Sequence, residues 1–169
     1  NEKRPYLTLG FDFSILKEFQ RVMKKFNAYF WTNKIDLPKY LNFAEENDYT
    51  FDILIWHKLN PMPLFSNKYM TDKEYCVFIR EEGAYFETTY ENAKTVLRTN
   101  IGKLGIHPCE KPLKILRPLV LNSSKEGDTI LDPFAGSASV GVVCAETNRN
   151  YIGFEIDEEY YKIGIDRLK

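Results

Sequence analysis

A short apolar run that stops at an acidic residue, turns through a glycine and resumes as a buried helix constrains this chain more than any other segment. Thr129-Ile130-Leu131 reads as a strand, Asp132-Pro133-Phe134-Ala135-Gly136-Ser137 as a tight turn, and Val140-Gly141-Val142-Val143-Cys144-Ala145 as the start of a helix. A second apolar run, Tyr151-Ile152-Gly153-Phe154, reads as the neighbouring strand and ends at Glu155. A side chain at Gly136 would occupy the space of a ligand approaching the turn, so the glycine leaves bare backbone there. An acid at the end of the next strand is the residue that accepts hydrogen bonds from ribose hydroxyls in nucleotide-binding folds. Together the turn and Glu155 predict an adenosine-type site. The plainer reading, in which Asp132-Pro133 merely ends a strand, leaves Glu155 without a role.

The turn has neither the three glycines of dinucleotide sites nor the Gly-Lys-Ser/Thr of phosphate loops. It opens instead on Asp132, which suits a cofactor bearing positive charge better than one bearing a pyrophosphate. S-adenosylmethionine carries an adenosine, a sulfonium and an ammonium and no phosphate, so it is the expected cofactor.

Three ordered segments then resemble a known family, the amino-group DNA methyltransferases that modify adenine N6 or cytosine N4, in the circular order that places the catalytic motif before the cofactor motif. His107-Pro108-Cys109-Glu110-Lys111-Pro112 resembles the family's His-Pro-Thr-x-Lys-Pro motif, which lines the methionine end of the cofactor. Residues 126–137 resemble its first strand and cofactor loop, and residues 148–161 its second strand, ribose-binding acid and following helix. The resemblance implies an α/β fold with a Rossmann-like S-adenosylmethionine-dependent methyltransferase sheet, mostly parallel with an antiparallel hairpin at one edge. Its implied cofactor residues are His107, Lys111, Pro112, Asp132, Pro133, Phe134, Ala135, Gly136, Ser137, Ser139, Glu155 and Ile156. Its implied partner is double-stranded DNA. Two departures bear on affinity: Ala138 stands where the family usually has glycine, adding a methyl group expected beside the cofactor, and Cys109 stands where it usually has threonine.

Composition bounds this reading. The 169 residues, 44% hydrophobic and 15% aromatic, suffice for one domain with a substantial core and exclude disorder as a whole-chain description. With 23 basic and 24 acidic residues the net charge is −1, so any DNA contact rests on a local patch. Cys76, Cys109 and Cys144 are odd in number and widely spaced, which suits neither a disulfide framework nor a zinc site and fits a reducing cytosol. No apolar run approaches the ~20 residues that cross a bilayer. No metal site is expected.

Along the chain, residues 14–26 carry apolar residues at helical spacing, residues 28–31 a short buried strand, 37–47 a second helix with Pro38 in its first turn, and 51–57 and 74–80 two further strands that pair antiparallel. Alternating strands and helices predict a parallel sheet covered by helices. Residues 83–106 read as polar and irregular, the candidate target-contacting insertion of a single domain spanning 1–169. There Arg98 and Lys103 are expected to hold phosphate, with Lys58 and Asn60 near the groove or the flipped base.

The target-holding half is what the sequence lacks. The family grips the exocyclic amine with an Asp/Asn/Ser-Pro-Pro-aromatic string, and none occurs here. Asn60-Pro61-Met62-Pro63 has interrupted prolines, and Asp132-Pro133-Phe134 belongs to the cofactor loop. The motif and at least two strands are therefore expected upstream of Asn1, in a segment absent here or supplied by a second chain, with no catalytic residue inside the 169. The rival reading, a remnant that keeps the fold without activity, stays open.

Overall fold

The computed structural model describes residues 12–63, 67–101 and 110–169. Expectations for His107, Pro108, Cys109 and Lys103 lie outside the described residues.

Helix α1 (Ile15–Val22) begins where the Asp12 carboxylate accepts the Ser14 N–H, and it buries Leu16 and Phe19. It stops earlier than the spacing predicts. Met23 turns extended, and Phe26 is instead fixed by its backbone, its N–H donating to the Glu81 carboxylate and its carbonyl accepting the Glu81 N–H. Strand β1 (Asn27–Thr32), helix α2 (Leu37–Glu46, Pro38 in its first turn), β2 (Thr50–Lys58) and β3 (Lys73–Arg80) follow. Part of the region read as irregular is ordered after all: Val96–Thr99 forms β4. Then come α3 (Leu113–Ser123), β5 (Thr129–Asp132), α4 (Ser139–Glu146), β6 (Asn150–Gly153) and α5 (Glu158–Arg167).

The strands form a four-stranded sheet in the order β1-β3-β2-β4 and a parallel pair, β5-β6. β3 lies between β1 and β2 and runs antiparallel to both, while β4 adds parallel to β2 with Trp56 opposite Leu97. The large sheet is thus mixed, and the parallel relation of β1 to β2 is mediated by β3. Helices cover both of its faces, which explains why four consecutive β3 residues, Cys76 to Ile79, are buried. Val77 and Ile79 pack with Leu16, Phe19, Phe30, Tyr40 and Ala44 on the α1/α2 face. Cys76 and Phe78 pack with Leu54 and Leu119 on the α3 face. Helix α3 also joins the two sheets: its Ile115, Leu116 and Val120 bury against Trp56 of β2 and Val143 of α4. Each such aliphatic side chain contributes roughly 1.5–3 kcal/mol by leaving water.

Candidate functional site

β5 and β6 run in parallel register, Asp132 opposite Gly153, so Asp132 and Glu155 emerge at the C-terminal end of the pair. The backbone ladder continues past the strands: the Phe154 N–H donates to the Asp132 carbonyl at 2.9 Å and the Ala135 N–H to the Phe154 carbonyl at 2.9 Å. The turn then tightens, with the Ala138 N–H donating to the Ala135 carbonyl and Gly136 at φ 52°, in the left-handed region where glycine carries no steric penalty.

Glu155 holds this turn directly. One carboxylate oxygen accepts the Gly136 N–H at 2.7 Å and the other the Asp157 N–H at 2.8 Å. Asp157 in turn caps α5, accepting from the Glu159 and Tyr160 amides. A carboxylate has about four lone-pair positions, so each Glu155 oxygen keeps acceptor capacity for a hydroxyl after binding its amide. That capacity fits a ribose. Asp132 accepts from the Phe134 N–H and from the Tyr151 phenol, at 3.2 Å in the latter case. Burial nevertheless dominates and raises the Asp132 pKa above its ordinary value, Glu155 adding to the rise. A cation placed beside Asp132 would reverse that shift. Two apolar side chains stand out at the surface, Phe134 of the turn at 62% exposed and Ile156, next to Glu155 in sequence, at 81%. The arrangement can accept hydroxyls, neutralise a cation and offer apolar contact to a flat ring.

Other expected residues sit differently. The Ser137 and Ser139 hydroxyls turn inward, both residues being buried, and meet Arg167 and Glu110. Ala138, also left-handed at φ 56°, directs its methyl to Gly164 of α5, where an added Cβ would lie 3.2 Å away. The extra methyl therefore packs against α5. Pro112 precedes α3, its carbonyl accepting the Ile115 and Leu116 amides.

Lys58 and Lys111 meet on a single carboxylate: Glu74 lies 2.6 Å from the Lys58 ammonium and 3.1 Å from that of Lys111, with Trp56 and Trp31 beneath the two cations. Burial alone would raise the Glu74 pKa, but the two lysines outweigh it and hold it low. Asn60 clamps Ile101, accepting its N–H at 2.6 Å and donating to its carbonyl. The side chains of Lys58 and Asn60 are thus occupied within the protein, while Arg98 on β4 is exposed. Sequence reasoning missed Tyr151, Gly164, Glu110 and Arg167 as parts of the site. The one legible signal was the glycine inside the helical pattern of α5, three residues before Arg167.

Fold and site together define a Rossmann-like α/β domain of the methyltransferase type. The structure superposes on the crystal structure of the M1.HpyAVI–SAM complex with a TM-score of 0.77 at 24% identity, over 95% of this chain and 85% of that one. Residues 5–166 match the DNA methylase family, and the chain belongs to it. It is 35% identical over 155 residues to the Type II methyltransferase M.Cfr9I of Citrobacter freundii, covering 80% of this chain and 50% of that protein. It is 48% identical over 62 residues to the DNA adenine methyltransferase YhdJ of Escherichia coli K12, covering 37% of this chain and 21% of that protein. The chain spans about half the length of the first relatives it matches.

Proposed function

We propose that this chain is the cofactor-binding part of a DNA methyltransferase that methylates the exocyclic amine of adenine, with cytosine N4 as the second candidate, within a restriction-modification system or as an orphan modification enzyme. The observation that carries the reading is Glu155, which holds the Gly136 turn and retains acceptor positions on both oxygens. Membership of the DNA methylase family supports DNA as the substrate, the Type II designation of M.Cfr9I supports restriction-modification, and the name of YhdJ supports adenine.

When bound, S-adenosylmethionine supplies a methyl group made electrophilic by the sulfonium. Glu155 accepts the ribose hydroxyls, Asp132 faces positive charge at the methionine end, and Phe134 and Ile156 flank the adenine. Lys111 and Pro112, with His107 by family resemblance, line the methionine. Arg98 contacts DNA phosphate, joined by Lys103, while Lys58 and Asn60 act by shaping the neighbouring loops rather than by touching the base. The target amine has a lone pair conjugated with its ring and must be flipped out of the duplex and held by acceptors. Those acceptors come from a segment outside these 169 residues. Among the described residues β1 pairs only with β3 and β5 only with β6, which leaves each an open edge where such a segment can add.

Calorimetric titration with S-adenosylhomocysteine tests the cofactor assignment. Wild type binds, and Glu155→Gln loses at least tenfold in affinity, about 1.4 kcal/mol. No binding by the folded wild type, or equal binding by the variant, overturns it.

A further inference from the structure

Behind the glycine turn lies a half-buried ionic network that nothing in the cofactor reading requires. Arg167 closes α5, and its Nη1 stands 2.8 Å from Glu110 Oε1, 2.8 Å from the Ser137 carbonyl oxygen, 2.9 Å from Ser137 Oγ and 3.4 Å from Ser139 Oγ. Ser139 Oγ donates to the same Glu110 oxygen at 3.2 Å. Both charges are sheltered, with side chains 21% and 27% exposed, so the pair is weakly screened. Gly164, one turn earlier on the same face of α5, allows this approach: a Cβ there would lie 3.2 Å from Ala138 Cβ and 3.6 Å from the Gly136 carbonyl oxygen.

Three segments distant in sequence therefore converge on one guanidinium. Ser137 belongs to the turn that Glu155 grips from its other end, Ser139 opens the helix that follows it, and Glu110 immediately precedes Lys111 and Pro112. The serines whose hydroxyls Glu110 and Arg167 bind are themselves buried, so these contacts lie inside the protein rather than on its surface. We propose that Arg167 and Glu110 are positioning residues that lock the segment carrying Lys111 and Pro112 to the turn carrying Gly136, so that the methionine and adenosine halves of the site stand in fixed register. The proposal rests on the cofactor reading above. All four contacts fall on Nη1, whose two N–H bonds are held in the guanidinium plane, a geometric definition that a rotating lysine ammonium lacks.

The test compares Arg167→Met, Arg167→Lys and Glu110→Gln with wild type in three measurements on the whole chain: affinity for S-adenosylhomocysteine, affinity for 5′-methylthioadenosine, which lacks the amino-acid end, and amide hydrogen exchange at residues 136–139. Arg167→Met and Glu110→Gln are expected to lose tenfold or more for S-adenosylhomocysteine, less than threefold for methylthioadenosine, and to exchange faster at the turn. Arg167→Lys recovers part of each loss. Equal losses for both ligands reduce the pair to a purely structural role and overturn the proposal, as do unchanged affinity and exchange. Should the methionine variant fail to fold, Arg167→Lys and Glu110→Gln still decide. If wild type binds neither ligand, the cofactor reading falls, and the exchange rates alone then judge the lock: faster exchange upholds it and unchanged exchange removes it.

Discussion

Asp132 concentrates the electrostatics of the site in one side chain. Its carboxyl is half-buried at a strand end, and desolvation raises its pKa despite donors from Phe134 and Tyr151. For a carboxyl whose folded pKa is raised, the folded state binds the extra proton. Its contribution therefore opposes folding as pH rises from the unfolded carboxylate value through the folded one. Ligand binding runs the other way, since the α-ammonium that S-adenosylhomocysteine retains needs the ionised carboxylate opposite it. Affinity for S-adenosylhomocysteine is accordingly expected to be flat near neutrality and to fall on acidification, with a midpoint above the ordinary carboxylate value of 3.8. Calorimetry across pH checks this, and Asp132→Asn should bind more weakly at neutral pH while losing the acid-side slope. An identical pH profile in the variant would assign the titration to another group.

Among elements, the β5-α4-β6 unit depends on how one aromatic ring is housed. A Cβ added at Gly141 of α4 would lie 2.8 Å from the Tyr151 ring, and one at Gly153 would lie 2.4 Å from its hydroxyl, so the ring occupies space that both glycines leave open. Gly141→Ala gains roughly 1 kcal/mol of helix propensity but forces the ring away from Asp132, an overpacking cost of about 1–3 kcal/mol. A net loss of about 1 kcal/mol is expected in chemical denaturation. The same substitution in a Tyr151→Ala background should become neutral or stabilising, because only the flexible end of Leu168, 3.0 Å from the added Cβ, then remains to give way. A loss that persists there would mean that the ring is not the obstacle. This unit was legible in the sequence because turn, glycine and acid are local chemistry. β4 was not: Val96-Leu97-Arg98-Thr99 has no alternation of its own and is a strand because β2 offers it a parallel edge. α3 was obscured by Pro118 in its middle, where a lost N–H argues against helix while burial of Ile115, Leu116, Leu119 and Val120 sustains it. The inward turn of Ser137 and Ser139 was hidden too, since it depends on Arg167 arriving from the end of the chain.

For the molecule as a whole, the four-stranded sheet and the β5-β6 pair are tied through α3 and α4, with Leu116 buried in the cluster that holds Trp56 and Val143. Leu116→Ala should cost about 2–5 kcal/mol and should lower the stability of both sheets together. A single unfolding transition, seen alike by tryptophan fluorescence and by exchange at β5 and β6, is the expected result. Two separated transitions would show that α3 does not couple the halves. Among the described residues β1 pairs only with β3, and its other flank has a consequence for handling the protein. Asn27-Ala28-Tyr29-Phe30-Trp31-Thr32 is an uncharged, proline-free, aromatic-rich hexapeptide, the composition that favours cross-β stacking once backbone groups are left unsatisfied. Wherever that flank stands uncovered it is a place for fibril seeding in concentrated solution, and a strand that added there to finish an active site would also act as its gatekeeper against aggregation.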